Sequence, residues 1–202
     1  MNWWLHQKRG LARTLAGQIR ELSGIEPIPQ QVTALVSASP MRSHPSTEII
    51  ERTIATVRGH LPDVEILIML DGVRPEMEYL RADYEEFQRR LLWLVNYQWS
   101  NVLVLRNEEF LHQSGMTPKA LELVETPTIL FVEHDTPLTP DFPIEWGPLI
   151  ENVLAGDANL IRFHHEAHVL PDHEHLMIGD VETVRGVKMR RTMQYSQRPH
   201  LA

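Results

Sequence analysis

The stretch PTILFVEHDTPLTPDF, residues 127–142, decides how the rest of the chain is interpreted. Its apolar run Ile129–Val132 has the length and composition of a buried β-strand, and the run ends abruptly in Glu133-His134-Asp135. Prolines follow at once, so the strand cannot continue far. A buried strand that leads directly into two carboxylates and an imidazole raises the question of what chemistry its end supports.

Apolar runs of strand length alternate with helical patterns on both sides of this stretch. Strands are predicted at Val32–Val36, Asp63–Leu70, Asn101–Leu105, Thr128–Val132 and Asn159–Phe163. Helices are predicted from Ser46 or Thr47 to His60, over Pro75–Leu94, after Pro118, and over Trp146–Leu154. Helices that alternate with continuous apolar strands predict an α/β fold, with a mostly parallel sheet sandwiched by helices. The chain beyond Phe163 is predicted to form short strands and loops.

The composition is that of a globular protein with one main domain. Of its 202 residues, 43% are hydrophobic, so a sizeable core can form. The formal net charge of −8 argues against a protein that coats nucleic acid through its overall charge. The absence of cysteine excludes disulfides, thiolate metal sites and a cysteine nucleophile, and it fits a reducing cytoplasm, either bacterial or that of a host cell if the gene is carried by a phage. No apolar run approaches the roughly 18 residues of a membrane span, and no signal-peptide pattern is present.

The first 26 residues are predicted to form an amphipathic helix and linker, separate from a domain over residues 32–202. Apolar residues recur at helical spacing and basic residues interleave with them: Trp3, Trp4, Leu5, Leu11, Leu15, Ile19 and Leu22, with Lys8, Arg9, Arg13 and Arg20. We favour a helix that packs on the flank of the domain. The alternatives are peripheral contact with a membrane surface or with a polyanion such as nucleic acid.

Three predicted strands end in residues that can carry chemistry: Ser37–Pro40, Asp71-Gly72 and Glu133–Asp135. In open α/β sheets, ligands bind outside the carboxyl ends of the strands. Two carboxylates two residues apart can share one divalent cation, and hard oxygen ligands suit Mg²⁺ or Mn²⁺. Such an ion would neutralise a diphosphate leaving group. Asp71 is interpreted either as a turn or helix cap, or as an acceptor for a base N–H or a ribose hydroxyl.

The order of these segments resembles the nucleotide-sugar-dependent glycosyltransferases of the GT-A fold, especially the family 2-like group. The resemblance covers roughly Val32 to Phe163 and rests on VTALVSASP, ILIMLDG and TILFVEHDTPL. In that family the last segment carries the DXD-type motif, and EHD stands in its place, with Glu for the first Asp. The resemblance implies a GT-A-like, Rossmann-like domain, with a nucleotide-binding part over residues 32–135 and an acceptor part over residues 136–202.

The resemblance also implies roles for residues at the strand ends. Ser37, Ala38 and Pro40 would lie near the nucleotide, Asp71 would contact the base, commonly a uracil, and Asp135 would bind Mn²⁺ or Mg²⁺. Glu133 would reach a ribose or the metal. The family's usual Arg-Asn pair is not found in SGMTPKALELVETPT, and Lys119 is the candidate to supply its positive charge. The implied donor is a nucleotide sugar, most simply a UDP-sugar, and the implied stereochemical outcome is inversion.

Histidines crowd the segment after the fifth predicted strand, at positions 164, 165, 168, 173 and 175. HHEAH does not match the His-Glu-X-X-His zinc pattern, so a hydrogen-bonding loop is favoured over a metal site. Glycosyl transfer needs a base for the acceptor hydroxyl, and the resemblance places it in this later region. Glu166 is placed slightly ahead of Asp180, with Asp172 and Glu174 as further candidates.

The segment MQYSQRPHLA ends the sequence. Arg198 is a candidate for a phosphate contact and His200 for a late metal ligand, with a solvated tail as the alternative. No closing helix follows, which is compatible with a sequence that stops short of the protein's own C-terminus.

The leading functional interpretation is a metal-dependent glycosyltransferase. Its acceptor is a glycan hydroxyl, or a hydroxymethylated DNA base if the protein comes from a phage. The basic run RGVKMRR, residues 185–191, would serve the DNA acceptor, and the net acidity opposes it. A nucleotidyltransferase is the first alternative, although SASPMRSHP lacks the Gly-rich loop such enzymes carry. The second is a nucleotide-binding module of the same fold without catalysis.

Overall fold

Seven consecutive buried residues, Val32–Ala38, form the central strand β1 of the fold. The computed structural model describes residues 27–163, 171–193 and 199–202, so the predicted N-terminal helix lies outside the described residues. The strands β2 (Glu65–Leu70), β3 (Val102–Arg106) and β4 (Thr128–Glu133) join β1 in a parallel sheet. Because these strands are covered on both faces, their sequences are continuously apolar rather than alternating.

Short strands complete the sheet on the β4 side. β8 (His200–Leu201) pairs antiparallel with both β4 and β5 (Ile161–Arg162), which gives the order β3-β2-β1-β4-β8-β5. A hairpin of β6 (Met177–Val184) and β7 (Val187–Thr192) forms a second, two-stranded sheet. The predicted mostly parallel sheet flanked by helices is therefore confirmed.

In the described part of the chain, four α-helices connect the strands: α1 (Glu48–His60), α2 (Arg81–Tyr97), α3 (His112–Leu121) and α4 (Trp146–Leu154). Short 3-10 helices lie at Ile28–Gln30, Pro75–Leu80 and Pro171–Leu176. The prediction that the third helix starts after Pro118 is wrong, because α3 starts at His112 and contains the proline. None of the helices within the described ranges is both long enough and apolar enough to cross a membrane.

The core has two parts, one on each face of the sheet. Val36, Ile68 and Val132 point to the larger cluster, which also contains residues of α1, α2 and α4. Leu35, Met69 and Phe131 point to the smaller cluster, against α3. Successive side chains of a strand alternate between faces, so the residue that ends each strand is committed to one of these two sides.

Candidate functional site

The carboxyl ends of β1 and β4 lie side by side at one edge of the sheet. Ser37 is paired with Glu133 across these strands and with Met69 across β1 and β2. Residues paired in register point to the same face, so Ser37 and Glu133 both lie on the α3 side. The structure thus brings together two of the predicted site residues that are far apart in the sequence.

The middle residue of the acidic triplet points the other way, into the protein. His134 is 7% exposed, and its backbone N–H donates to the Ser37 carbonyl oxygen at 2.9 Å. Its Nδ1 lies 3.1 Å from the same oxygen, and a carbonyl only accepts, so Nδ1 carries a proton. Its Nε2 contacts Met41 Sδ at 2.8 Å, and its carbonyl oxygen accepts a hydrogen bond from Thr53 Oγ1 at 2.6 Å. His134 therefore ties the triplet to β1, to the following loop and to α1.

The two carboxylates of the triplet are left at the open edge of the sheet. Glu133 is half-buried and Asp135 is exposed. Burial raises the pKa of Glu133, the negative charge of Asp135 raises it further, and the imidazole of His112 opposes both effects. The mutual repulsion of the two carboxylates is the kind that a bound cation relieves.

A divalent cation fits this pair of carboxylates only if other ligands complete its shell. Within the described ranges, no three His, Asp or Glu side chains are grouped closely enough to hold a metal. Mg²⁺ is commonly bound by one or two carboxylates together with substrate phosphates and water. The chemistry of Glu133 and Asp135 fits that mode, in which the substrate brings part of the coordination shell.

Asp71 has a structural contact that accounts for its burial. It is 1% exposed, and its Oδ1 accepts hydrogen bonds from the N–H groups of Gly72 at 2.9 Å and Leu111 at 2.8 Å. Its Oδ2 accepts one from the His112 N–H at 3.0 Å. Asp71 thereby caps the first turn of α3 from another strand, which is one of the two interpretations of this residue. A contact with a base would have to share a carboxylate that already accepts three hydrogen bonds.

Gly72 is required by packing rather than by its backbone conformation. A Cβ at this position would lie 2.3 Å from the carbonyl carbon of Glu109 and 2.5 Å from the Phe110 nitrogen. The loop between β3 and α3 therefore crosses directly over Gly72, and Asp71 holds it there. Asp71 and Gly72 together hold that loop against the end of β2.

The other predicted site residues are placed at different distances from this edge. Ala38 and Pro40 are buried, and Ala38 points to the larger core cluster. Lys119 lies in the last turn of α3. At a rise of about 1.5 Å per residue it is some 10 Å further along the helix than His112, away from the end that Asp71 binds.

His200 and Asp180 lie on different sheets. His200 is paired with Phe131 and stacks on its ring with centroids 5.2 Å apart. It therefore lies on the same face as Glu133 and is its diagonal neighbour, at about 7–8 Å. Asp180 is exposed on β6 of the hairpin. Glu166 and Arg198 lie outside the described residues, as do three of the clustered histidines, at positions 164, 165 and 168.

Two histidines at this edge were not predicted as part of the site. His44 is 5% exposed, stacks on Phe87 with centroids 4.0 Å apart, and accepts a hydrogen bond from the Met41 N–H at 3.3 Å. Burial, with a smaller effect of His134, lowers its pKa to about 4. His112 is exposed at the start of α3. No local sequence pattern singles out either one, because both are placed by contacts with distant segments.

Several solved structures of glycosyltransferases match this chain at low similarity. S. aureus TarS in complex with UDP matches with a TM-score of 0.39 and 12% identity, over 64% of this chain and 34% of that chain. The mannosyltransferase PcManGT from Pyrobaculum calidifontis, in complex with GDP-Man and Mn²⁺, matches with a TM-score of 0.36 and 12% identity, over 64% and 34%. Glycosyltransferases are among the solved structures to which this chain is similar.

An enzyme of a different class also matches. The 4-diphosphocytidyl-2C-methyl-D-erythritol synthase from Anaerococcus prevotii has a TM-score of 0.39 and 12% identity, over 86% of this chain and 70% of that chain. The chain spans about a third of the length of the TarS and PcManGT chains given above, 34% in each case. No protein-family profile and no curated protein sequence matches it. The fold described above rests on the strand order of this protein and not on these similarities.

Proposed function

We propose that this protein is a metal-dependent glycosyltransferase that moves a sugar from a nucleotide-diphosphate donor to an acceptor hydroxyl. The observation that carries the proposal is the division of the triplet at the end of β4. His134 is buried and bonded to the Ser37 carbonyl, and this leaves Glu133 and Asp135 at the open edge of the parallel sheet. Open edges of this kind are where α/β proteins bind ligands.

Asp135, with Glu133 beside it, would hold the Mn²⁺ or Mg²⁺ ion. When bound, that ion supplies positive charge to the departing diphosphate. Ser37, paired with Glu133 at the end of β1, lines the same edge and is assigned to the nucleotide, as is the Pro40 loop that follows. His134 keeps the two strand ends in register and makes no ligand contact of its own.

The transfer itself is one displacement at the anomeric carbon. The acceptor oxygen forms a bond to that carbon, the bond from the carbon to the diphosphate oxygen breaks, and the acceptor proton passes to a carboxylate. Glu166 and Asp180 remain the candidates for this base. A single displacement inverts the configuration, so the proposal includes inversion. We also propose that the transferred sugar is a hexose.

A glycan is the acceptor that the described charges favour over DNA. In the basic run at 185–191, Arg185 is paired with Asp157 at 2.5 Å, Arg190 with Glu174 at 2.7 Å and Arg191 with Glu182 at 3.6 Å. Cations that are already paired offer less to a phosphate backbone, whose recognition depends on free positive charge.

Cytoplasmic placement, and contact of residues 1–26 with a membrane surface or nucleic acid, stay predictions.

A donor screen tests the proposal. Thermal unfolding with UDP- and GDP-linked sugars, with and without Mn²⁺, is expected to show a metal-dependent rise in melting temperature for at least one donor, because ligand that binds the native state stabilises it. Asp135→Ala is expected to remove the rise. Asp141→Ala, which alters another exposed acid beyond the triplet, is the matched control and is expected to keep it.

Product analysis separates the alternatives. A glycosyltransferase releases a nucleoside diphosphate from the donor, whereas a nucleotidyltransferase releases pyrophosphate from a nucleoside triphosphate. Metal-dependent binding without either product would identify a non-catalytic module. No thermal shift with any donor would contradict the proposal.

A further inference from the structure

His112 has a backbone conformation that L-residues rarely adopt. Its φ is 57°, in the left-handed region that favours glycine. Within the described ranges, the other non-glycine residues with positive φ are Asn101 and Arg185. Arg185 lies in the turn between β6 and β7, where such angles are normal, and Asn tolerates this region better than most residues. His112 instead starts a helix, so no turn accounts for it.

The contacts around Asp71 hold His112 in this conformation. The His112 N–H is bonded to Asp71 Oδ2 at 3.0 Å, and the preceding Leu111 N–H is bonded to Oδ1 at 2.8 Å. The same loop lies directly over Gly72. Asp71 and Gly72 thus hold the backbone at His112 in place, while the side chain of His112 is exposed. Strained backbone that is held by its surroundings is concentrated at functional sites.

The imidazole lies at the carboxyl ends of the strands, on the same side of the sheet as Glu133. His112 is bonded through its N–H to Asp71 at the end of β2, and it starts α3, the helix that covers the face to which Glu133 points. Its ring also packs edge-on against Phe110 with centroids 6.2 Å apart, and the guanidinium of Arg74 lies 4.8 Å from the Phe110 centroid. His112 therefore lies beside an aromatic ring and near a guanidinium group, at the same end of the sheet as the carboxylates.

A diphosphate bound at this edge needs hydrogen-bond donors for its oxygens. At the start of α3, the N–H groups of Leu111 and His112 are directed at Asp71 and not at an incoming anion. Lys119, the sequence-based candidate, lies in the last turn of the same helix. The imidazole of His112, in the first turn of α3, can donate a hydrogen bond to a phosphate oxygen in place of these groups.

We propose that His112 contacts the substrate directly and donates a hydrogen bond from its imidazole to a diphosphate oxygen of the donor. The inference rests on the proposed function, because it assumes that a nucleoside diphosphate binds beside Glu133 and Asp135. It assigns to His112 the contact with the diphosphate for which Lys119 is the candidate from sequence.

Substitution by glycine separates the contact from the fold. His112→Gly keeps the N–H that binds Asp71 and relieves the φ of 57°, so the variant is expected to unfold at the same or a higher temperature than the wild type. Its dissociation constant for UDP in the presence of Mn²⁺ is expected to rise about tenfold or more, the usual weight of a hydrogen bond to a charged group. His112→Asn, which tolerates this φ and keeps an N–H donor, is expected to lie between the two.

Arg185→Gly is the matched control. It relieves a similar φ of 46° and removes only an exposed ion pair, and it is expected to bind UDP with wild-type affinity. In the wild type with Mg²⁺, addition of UDP is expected to shift the His112 ring resonances in NMR spectra.

Each result decides a different claim. Unchanged UDP affinity in a folded His112→Gly protein, or ring resonances that do not respond to UDP, would overturn the assignment of His112 and leave the proposed function intact. A wild-type protein that binds no nucleoside diphosphate would overturn both. A His112→Gly protein that fails to fold would contradict the argument from strain.

Discussion

His134 determines, at the scale of single residues, where its two acidic neighbours lie. His134 is 7% exposed, whereas Asp135 beside it is exposed. Glu133 and His134 point to opposite faces of the sheet, so burying the imidazole keeps Glu133 on the α3 side. This answers why a buried strand leads into polar residues: one of the three is a core residue, and it positions the others.

Replacing His134 by alanine is expected to destabilise the fold by about 2–4 kcal/mol, because it leaves a cavity and removes the contacts of the ring with Ser37 and Met41. Urea unfolding measures the change. His175, which is exposed on the 3-10 helix before β6, offers a matched histidine whose alanine variant is expected to stay within about 0.5 kcal/mol of the wild type. Equal effects at the two positions would refute the buried role.

The second residue-scale prediction concerns acid stability. Folding lowers the pKa of His44 from 6.5 to about 4, so between these pH values the unfolded chain binds a proton that the folded protein does not. Stability is therefore expected to fall as the pH drops through this window, by up to about 3 kcal/mol from this group. The full contribution is present above the unfolded pKa and is lost near pH 4.

His44→Phe tests this directly, because phenylalanine can keep the stacking on Phe87 and Tyr84 without a titrating group. Urea unfolding of both proteins at pH 7, 5.5 and 4.5 is expected to show a smaller loss in the variant. Parallel losses in the two proteins would mean that His44 is protonated as easily in the folded state as in the unfolded one.

Among the secondary-structure elements, the start of α3 is set by the Asp71-Gly72 pair. Gly72→Ala is expected to destabilise the protein by roughly 1–3 kcal/mol, because the new Cβ overlaps the backbone of Glu109 and Phe110. Gly59→Ala, in α1, meets no atom within 4 Å and is expected to stabilise by up to about 1 kcal/mol. Thermal unfolding of the two variants would contradict this account if both shifts had the same sign.

The elements that could be predicted from sequence are those with a clear local pattern of apolar residues. The four parallel strands were predicted because a run such as Ile66–Leu70 is apolar throughout, as strands covered on both faces require. The start of α3 could not be predicted in this way, because its cap comes from Asp71, 40 residues earlier. The proline inside that helix pointed to a start too late in the chain. The pairing of the two-residue strand β8 was equally hidden, since two residues carry no periodicity.

In the candidate site, too, features with a local sequence pattern could be predicted and features set by tertiary contacts could not. The carboxylates of the triplet follow a strongly apolar run, so their position at a strand end was predictable from residues 129–135. The buried direction of His134 and the conformation of His112 arise from contacts with Ser37 and Asp71, which are distant in sequence. Such tertiary contacts leave no local pattern.

At the scale of the whole molecule, the strand order makes the site. β1 lies between β2 and β4, so the ends of three predicted strands meet although Ser37 and Glu133 are far apart in the chain. The hairpin of β6 and β7 stands apart as a second sheet, tied to α4 by a hydrogen bond of 3.3 Å from Asn152 to the Val184 carbonyl oxygen. The end of the sheet that carries Ser37, Glu133 and Asp135 is therefore built from residues 32–135, and the hairpin from residues 177–192.

The proposed function requires that Glu133 and Asp135 hold a divalent cation together with a diphosphate. The most direct measurement is the electron paramagnetic resonance of Mn²⁺ titrated with the protein, with and without UDP. UDP and protein together are expected to remove the signal of free Mn²⁺ more strongly than either alone. Asp135→Asn is expected to abolish that cooperation and Asp141→Asn to preserve it. Equal Mn²⁺ binding by the wild type and by Asp135→Asn would show that the cation is not bound at this carboxylate pair.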